Sequence, residues 1–335
     1  MNRDISIDIL RFIALSGIIL IHVGPGIFFS QLRSFDVPLM VFLSGVSYNL
    51  SSNQRGILSY KEYCIKRFKR LILPVWFFLP VYFLLYIVAK QEYPTLFQVV
   101  SYYSLLTNWY VWIIRVFFVI ALFAPWVAFE LNKVSNKTFY IWLGVVFILF
   151  ELLVKYGQFT SSSLSVVFLT NIPYILIFAI GYKLLKLSVK QIIVLGSIFF
   201  VIYLLYAIYY LNINGGYVLT GKYKYPPQLY YTSYAMTVCL ILWGIRRKIL
   251  KFLGYLPKQI VQLFCFIGSH TMWIYLWHIP LVDAIGRSFS TSIRFIFVYT
   301  IALLITFIQC RFVYWVIGKL KSESFIKNIK VIFIG

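Results

Sequence analysis

Residues 192–211 read IIVLGSIFFVIYLLYAIYYL, a run of twenty residues that carries no charge. Twenty residues wound as an α-helix extend about 30 Å, which is the thickness of the hydrocarbon core of a bilayer. This run therefore predicts a transmembrane helix. Nine other runs of the same character predict further spans, at residues 7–23, 35–50, 71–89, 109–129, 139–154, 164–185, 229–245, 260–281 and 293–317.

The composition of the whole chain agrees with this interpretation. Apolar and aromatic residues make up 61% of the 335 residues, charged residues only 12%, and the mean hydropathy is +0.86. A soluble domain carries roughly 25% charged residues, because its surface faces water. A membrane β-barrel would show alternating segments of ~10 residues, whereas these runs are continuous. We expect one all-α polytopic membrane domain over residues 1–335, a bundle of about ten transmembrane helices.

Lysine and arginine set the expected orientation of the bundle. With the N-terminus inside, 21 of the 31 basic residues fall in inner loops, seven in outer loops and three within spans. This bias predicts that both termini are cytoplasmic. The net charge of +22 is then a topology signal that also favours an anionic inner leaflet, and the dispersed basic residues argue against nucleic-acid binding.

The first predicted span is interrupted by Asp8 and Arg11 and is followed closely by a second span, so we expect it to be an uncleaved helix. The four cysteines show no C-x-x-C spacing and indicate packing residues, with no metal site expected.

Ionisable residues inside spans are costly and commonly mark functional sites. Arg11 and His22 are eleven residues apart, so they lie on nearly one face of the first helix, about 16 Å apart along its axis. His278, Arg115 and Asp36 are expected in the outer half of other spans. These residues predict a His-centred site open to the outside, in which a carboxylate such as Asp36 would orient the histidine base.

Two features have a structural alternative. Arg115 and Glu151 could form an ion pair that only holds helices together. The cluster Lys66, Arg67, Lys69 and Arg70 could be a phosphate site, since arginine makes bidentate contacts with phosphate, or could follow from the positive-inside rule alone.

Taken in order, five segments resemble the acyltransferase-3 family of bacterial membrane O-acyltransferases. The first helix, SIDILRFIALSGIILIH, has the family's Arg-x10-His motif at Arg11 and His22. A second segment, FDVPLMVFLSGVSY, ends its apolar run in Ser44 and Gly45. The remaining segments are KRFKRLILP (66–74), WYVWIIRVFFVIALFAP (109–125) and IGSHTMWIYLWHIPL (267–281).

This resemblance implies transfer of an acyl group, most simply acetyl, from cytoplasmic acetyl-CoA to a hydroxyl of a surface or secreted polysaccharide or its lipid-linked precursor. It assigns His22 and Arg11 to catalysis, and Asp36 joins them as the carboxylate expected to orient the histidine. His22 would be either a general base or an acyl carrier. The CoA phosphates would bind at Arg67 and Arg70, and the acceptor at the three residues Arg115, Tyr275 and His278.

The family resemblance also implies a bacterial plasma membrane, with the lipid bilayer, the glycan acceptor and proteins of surface-polysaccharide biosynthesis as partners. The main alternative is a transporter or flippase for a glycan precursor, although the sequence has no repeated halves. A second alternative is a non-catalytic assembly protein of the same shape.

Overall fold

The computed structural model describes residues 4–52, 59–106, 110–157, 164–285 and 288–335, and within these ranges it contains helices and no β-strand. The all-α prediction is therefore confirmed. The helices are α1 (Ile5–His22), α2 (Ile27–Leu32), α3 (Asp36–Ser52), α4 (Tyr60–Lys90), α5 (Leu96–Tyr103), α6 (Trp112–Lys133), α7 (Asn136–Tyr156), α8 (Leu164–Lys183), α9 (Val189–Asn214), α10 (Leu229–Leu253), α11 (Lys258–Ser269), α12 (Thr271–Ala284), α13 (Thr291–Gly318) and α14 (Glu323–Phe333).

Eight segments of the described chain are long and apolar enough to cross a membrane, and a bent pair of helices makes a ninth if it is one span. The span expected at 229–245 lies within α10, which is long enough but falls outside this set. Its first turns carry polar side chains that pack inside the bundle, and its last turns carry Arg246, Arg247 and Lys248. The chain is a multi-pass membrane protein.

The span expected at 260–281 is not one continuous helix. It consists of α11 and α12, which meet at an angle of 83°. His270 joins them with φ −112° and ψ 27°, outside the helical region. Gly268 lies directly against the backbone of Asp8, where a Cβ would collide with the Asp8 carbonyl. The bend lets α11 cross the inner end of α1 closely while α12 runs beside it.

Helix α1 lies in the middle of the bundle and packs against α3, α10, α11, α12 and α13. Its core-facing side includes Leu10, Ala14, Leu15 and Ile18. By contrast α9, which contains the run 192–211, buries little of its surface inside the protein. That exposure is expected of a helix that faces lipid.

A second close helix crossing joins α3 and α8 at two glycines. A Cβ on Gly45 would collide with the carbonyl of Phe178, and one on Gly181 with the carbonyl of Phe42. The side-chain amide of Asn49 donates to the carbonyl of Tyr182, at 2.7 Å, on the same seam. Small residues at such crossings let membrane helices approach and gain packing energy.

Helix α14 was not anticipated from the sequence. It lies at the inner end of the bundle, where Lys69 Nζ donates to Asn328 Oδ1 at 3.0 Å. Gln309 Nε2 donates to the Phe333 carbonyl at 2.8 Å, and Trp273 Nε1 to the Ile332 carbonyl at 3.0 Å. The helix therefore packs against α4, α12 and α13.

We predict that Gly45→Ala destabilises the protein, because the new methyl group has no space against the backbone of α8. Overpacking of this kind costs about 1–3 kcal/mol, which outweighs the gain in helix propensity of about 1 kcal/mol. Thermal unfolding of the purified protein in detergent measures the change. Gly144→Ala in α7 is the matched control, since a Cβ there meets nothing within 4 Å. Equal unfolding temperatures for the two variants would contradict the prediction.

Candidate functional site

The structure brings two of the sequence-predicted residues into direct contact. His22 is the last residue of α1, and His278 lies in α12 beside it. Nδ1 of His22 is 2.8 Å from Nε2 of His278, and the ring centroids are 4.9 Å apart. His278 is fully buried, whereas His22 is partly exposed. The accessible member of the pair is therefore His22.

The hydrogen bonds define the tautomers of both rings. Nδ1 of His278 bonds to the backbone carbonyl of Tyr275, and a carbonyl can only accept. Nδ1 of His278 is therefore the donor, and in the neutral ring its Nε2 accepts a hydrogen bond from Nδ1–H of His22. This leaves Nε2 of His22 with its lone pair. The arrangement is a base held by a second ring, which is itself held by a third group.

Two tyrosines enclose the histidine pair. The Tyr275 hydroxyl donates to the carbonyl of Tyr110, and the rings of Tyr110 and His22 meet edge to face with centroids 5.0 Å apart. The Tyr110 hydroxyl in turn lies 3.3 Å from Oδ1 of Asp283, whose Oδ2 is 3.4 Å from the Tyr82 hydroxyl. Tyr110, two residues before α6, is thus tied to α12 directly and to α4 through Asp283.

Asp36 has a different partner from the one expected. Its Oδ2 is 2.6 Å from Nη1 of Arg33, and its Oδ1 accepts the backbone N–H of Val37 at 2.6 Å. Among the described residues, the hydrogen-bond partner behind His22 is His278, so the structure gives Asp36 no direct contact with that ring. Asp36 is fully buried at the start of α3 and packs against Gly17 of α1. Its carboxylate therefore fixes Arg33 at the outer end of α1.

The proposed ion pair between Arg115 and Glu151 is not present. Buried Arg115 donates from Nη1 to the carbonyl of Leu105 at 2.7 Å, and Glu151 accepts from the backbone N–H of Leu229. Each side chain instead forms a hydrogen bond with a backbone group at the end of a helix or in a loop. Arg115 contacts the chain before α6 from within α6.

Lys224 is a residue of the outer side that the sequence analysis missed. It follows a short 3-10 helix in the loop between α9 and α10, and its Nζ lies 4.9 Å from the ring centroid of Trp112. Burial lowers the pKa of Lys224 to about 8, an effect that the Asp36 carboxylate opposes and the Arg33 guanidinium reinforces. Lys224 and Arg33 also lie close enough to His22 for their charges to act on its ring. The only sequence signal was one lysine in an outer loop.

A narrow cavity of about 170 Å³ lies on the inner side of the histidine pair. Arg11, Leu15 and Ile18 line it from one face of α1, the face that carries His22 at its outer end. Arg70 lies on its inner side and Tyr275, the residue that holds His278, on another wall. The cavity is smaller than the roughly 300–1,000 Å³ of pockets for drug-sized ligands. It suits a chain-like group.

The other residues of the inner side have the following contacts. Nη2 of Arg11 donates to the Ser47 hydroxyl at 2.9 Å, and Nη1 is 3.7 Å from Asp8. The Arg67 guanidinium lies over the Tyr63 ring, 5.0 Å from its centroid. Arg67 and Arg70 are thus near each other at the start of α4, although only Arg70 lines the cavity.

Two serines, Ser44 and Ser269, also line the cavity, and each donates its hydroxyl to a carbonyl of its own helix. Over the part of the chain that the structure describes, no group of three His, Cys, Asp or Glu side chains is placed to hold a metal ion.

The fold and the site define a polytopic membrane protein with a cavity that leads toward a histidine pair. A family model described as an acyltransferase domain matches residues 4–315, nearly the whole chain. The chain therefore belongs to the acyltransferase-3 family, as its motifs predicted, and is a membrane acyltransferase. No curated protein and no solved structure matches the chain.

We predict that His278→Ala lowers the rate of acyl transfer by about 10²-fold, the cost of a small misplacement of a reacting group. His278 touches His22 and acts through it, so kcat should fall while the KM values for donor and acceptor stay unchanged. Added imidazole should restore part of the activity. Steady-state kinetics on purified protein measure these quantities, with His270→Ala as the control histidine. Raised KM values without imidazole rescue would contradict the prediction.

Proposed function

We propose that this protein transfers an acetyl group from cytoplasmic acetyl-CoA to a hydroxyl of a surface or secreted polysaccharide, or of its lipid-linked precursor. The observation that carries the proposal is the position of the cavity. It extends from Arg70 near the inner face, past Arg11, to Tyr275, whose carbonyl holds His278 and through it His22. An acyl donor that enters from the inner side and an acceptor on the outer side could thus meet at Nε2 of His22.

The inner end of the cavity suits the donor. Arg67 and Arg70 would bind the phosphates of the nucleotide at the inner face, because guanidinium groups form bidentate contacts with phosphate oxygens. The cavity, at about 170 Å³, is too small for the nucleotide, and we place the thin pantetheine arm in it. Arg11, held by Ser47 and Asp8, would lie beside that arm and guide it toward His22.

His22 then has a defined task in the transfer. Its Nε2 accepts the proton of the acceptor hydroxyl while that oxygen attacks the thioester carbonyl. As the C–O bond forms and the C–S bond breaks, the imidazolium returns the proton to the leaving sulfur. His278 stabilises the imidazolium through the Nδ1 hydrogen bond. The same lone pair would serve if His22 carried the acyl group itself, and ping-pong kinetics would identify that route.

The acceptor side lies at the outer ends of the helices. Arg33 and Lys224 lie near the partly exposed His22, and Arg33 and Arg115 both lie near the exposed ring of Tyr225. We assign acceptor binding to this region and to Tyr275, and we give fully buried His278 the separate role of positioning His22. Proteins of surface-polysaccharide biosynthesis would deliver the acceptor to this face.

We predict that His22→Ala lowers acetyl transfer to the glycan by about 10²–10⁴-fold, the contribution of a general base. The measurement uses radiolabelled acetyl-CoA and membranes that contain the wild type or the variant, with protein levels matched by immunoblot. His270→Ala is the control. Normal acylation by His22→Ala would rule out this mechanism. If the label stays on CoA in both proteins while the glycan precursor crosses the membrane, the transporter alternative is favoured.

A second prediction concerns the donor. Arg70→Ala should raise the apparent KM for acetyl-CoA by about tenfold, the effect of losing one charge-assisted contact worth about 1.5 kcal/mol. The acceptor KM should not change. Lys61→Ala, which removes an exposed charge from the first turn of the same helix, is the matched control. An unchanged donor KM for Arg70→Ala would leave the basic cluster with a role in topology alone.

A further inference from the structure

We propose that the acceptor carries a negatively charged group, a carboxylate or a phosphate, and that Lys224 and Arg33 bind it beside His22. This inference rests on the proposed acyl transfer to a glycan and specifies the chemical class of that glycan. It concerns a group of charged and polar side chains at the outer end of α1, His22, Arg33, Asp36, Arg115 and Lys224, which we call the chamber.

The chamber carries more positive than negative charge. Its three cations are Arg33 in the turn before α3, Arg115 in α6, and Lys224 in the loop before α10. The charges of Arg33 and Asp36 act on Lys224. The charges of Arg33, Asp36 and Arg115 act on Tyr225. Asp36 is the one carboxylate of this set. The chamber therefore has an excess of two positive charges when the two histidines are neutral.

The carboxylate of Asp36 already has two hydrogen-bond partners. Asp36 accepts from Arg33 and from the N–H of Val37, both at 2.6 Å. Two other carboxylates of the outer side also have partners. Asp283 is held by two tyrosine hydroxyls and Glu151 by the Leu229 N–H. None of these forms an ion pair with Lys224 or Arg115 among the described residues.

Two arginine N–H groups of the chamber lack a hydrogen-bond acceptor among the described residues. Nε of Arg33 and Nε of Arg115 are buried, and neither has a hydrogen-bond partner in the described part of the chain. Burying a donor without a partner costs about 1–3 kcal/mol. An anionic oxygen in the chamber would accept from such groups and would offset the cost of the charge on Lys224.

Contacts of its loop hold Lys224 in place at the chamber. The loop is tied to the start of the second span by Thr220, whose N–H and hydroxyl lie 3.0 and 3.1 Å from Oε1 of Gln31. Trp112 lies under the ammonium group, and the Tyr225 ring, 5.4 Å from Nζ, is exposed beside it. A sugar ring on Tyr225 would place a charged substituent next to Lys224. A solvated lysine would need none of these contacts.

The test uses the surface polysaccharide isolated from a strain that lacks this protein. One portion is left untreated, a second has its carboxylates reduced to alcohols, and a third is dephosphorylated. Acetyl transfer from labelled acetyl-CoA to each portion is measured with purified wild type, Lys224→Gln and Lys222→Gln. Lys222 is exposed two residues away in the same loop, so Lys222→Gln removes an equal charge outside the chamber.

We expect wild type to lose at least tenfold in kcat/KM on one treated portion, and that portion identifies the carboxylate or the phosphate as the bound group. Lys224→Gln should lose about tenfold on the untreated polysaccharide, through the acceptor KM, with kcat and the donor KM unchanged. On the treated portion the same variant should equal the wild type. Lys222→Gln should behave as wild type on every portion.

Three results would overturn the inference. Equal transfer by wild type to all portions would show that acceptor charge is irrelevant and would leave the proposed acetyl transfer intact. A loss of kcat on every portion in Lys224→Gln would make Lys224 a stabiliser of the transition state. Absence of transfer to any portion would remove both the glycan acceptor and this inference.

Thermal unfolding distinguishes binding from a structural role. Because burial lowers the pKa of Lys224 to about 8, the charged form present at pH 7 is disfavoured in the folded protein. Lys224→Gln should therefore unfold at a temperature at least as high as wild type at pH 7, while its acceptor KM rises. A lower unfolding temperature, with losses on all three portions, would indicate that Lys224 holds the loop and would overturn the inference.

Discussion

The hydrocarbon core of a bilayer offers no hydrogen-bond partners, and this constraint explains most of what the polar side chains of this protein do. Arg11 donates to a serine of the neighbouring helix, and Arg115 to the carbonyl of Leu105. Fully buried His278 uses one nitrogen for the Tyr275 carbonyl and the other for His22. Each bond lowers the cost of a polar group inside the bundle, and each also fixes the direction of that group. The position of the histidine pair thus follows from the same requirement that holds the helices together.

Close backbone approach places these groups where they can meet. Gly45 and Gly181 bring α3 against α8, and Gly268 brings the end of α11 against the backbone of Asp8. The second crossing requires the 83° bend between α11 and α12. After the bend, α12 runs beside α1, which sets His278 against His22. A straight, continuous helix could not both cross the inner end of α1 at Gly268 and run beside α1 to His22.

The two sides of the histidine pair differ in shape and charge. The inner side is a narrow cavity lined mainly by apolar residues, with arginine at its inner end. The outer side is a chamber in which a lysine and two arginines face a single carboxylate that is already paired. In the proposed transfer, the thin acyl-carrying arm would occupy the first and the charged acceptor would bind at the second.

The sequence by itself determined the all-α membrane fold, most of the spans and the family, because long apolar runs and ordered motifs depend only on local residue pattern. It also singled out Arg11 and His22, since helical periodicity alone puts them on one face. It did not determine which groups meet. Asp36 pairs with Arg33, Arg115 and Glu151 bind backbone rather than each other, and Lys224 reaches the chamber from a loop that carried no motif. Only the tertiary structure decided these contacts, because they join residues far apart in the chain, and the packing of helices and loops sets their distances.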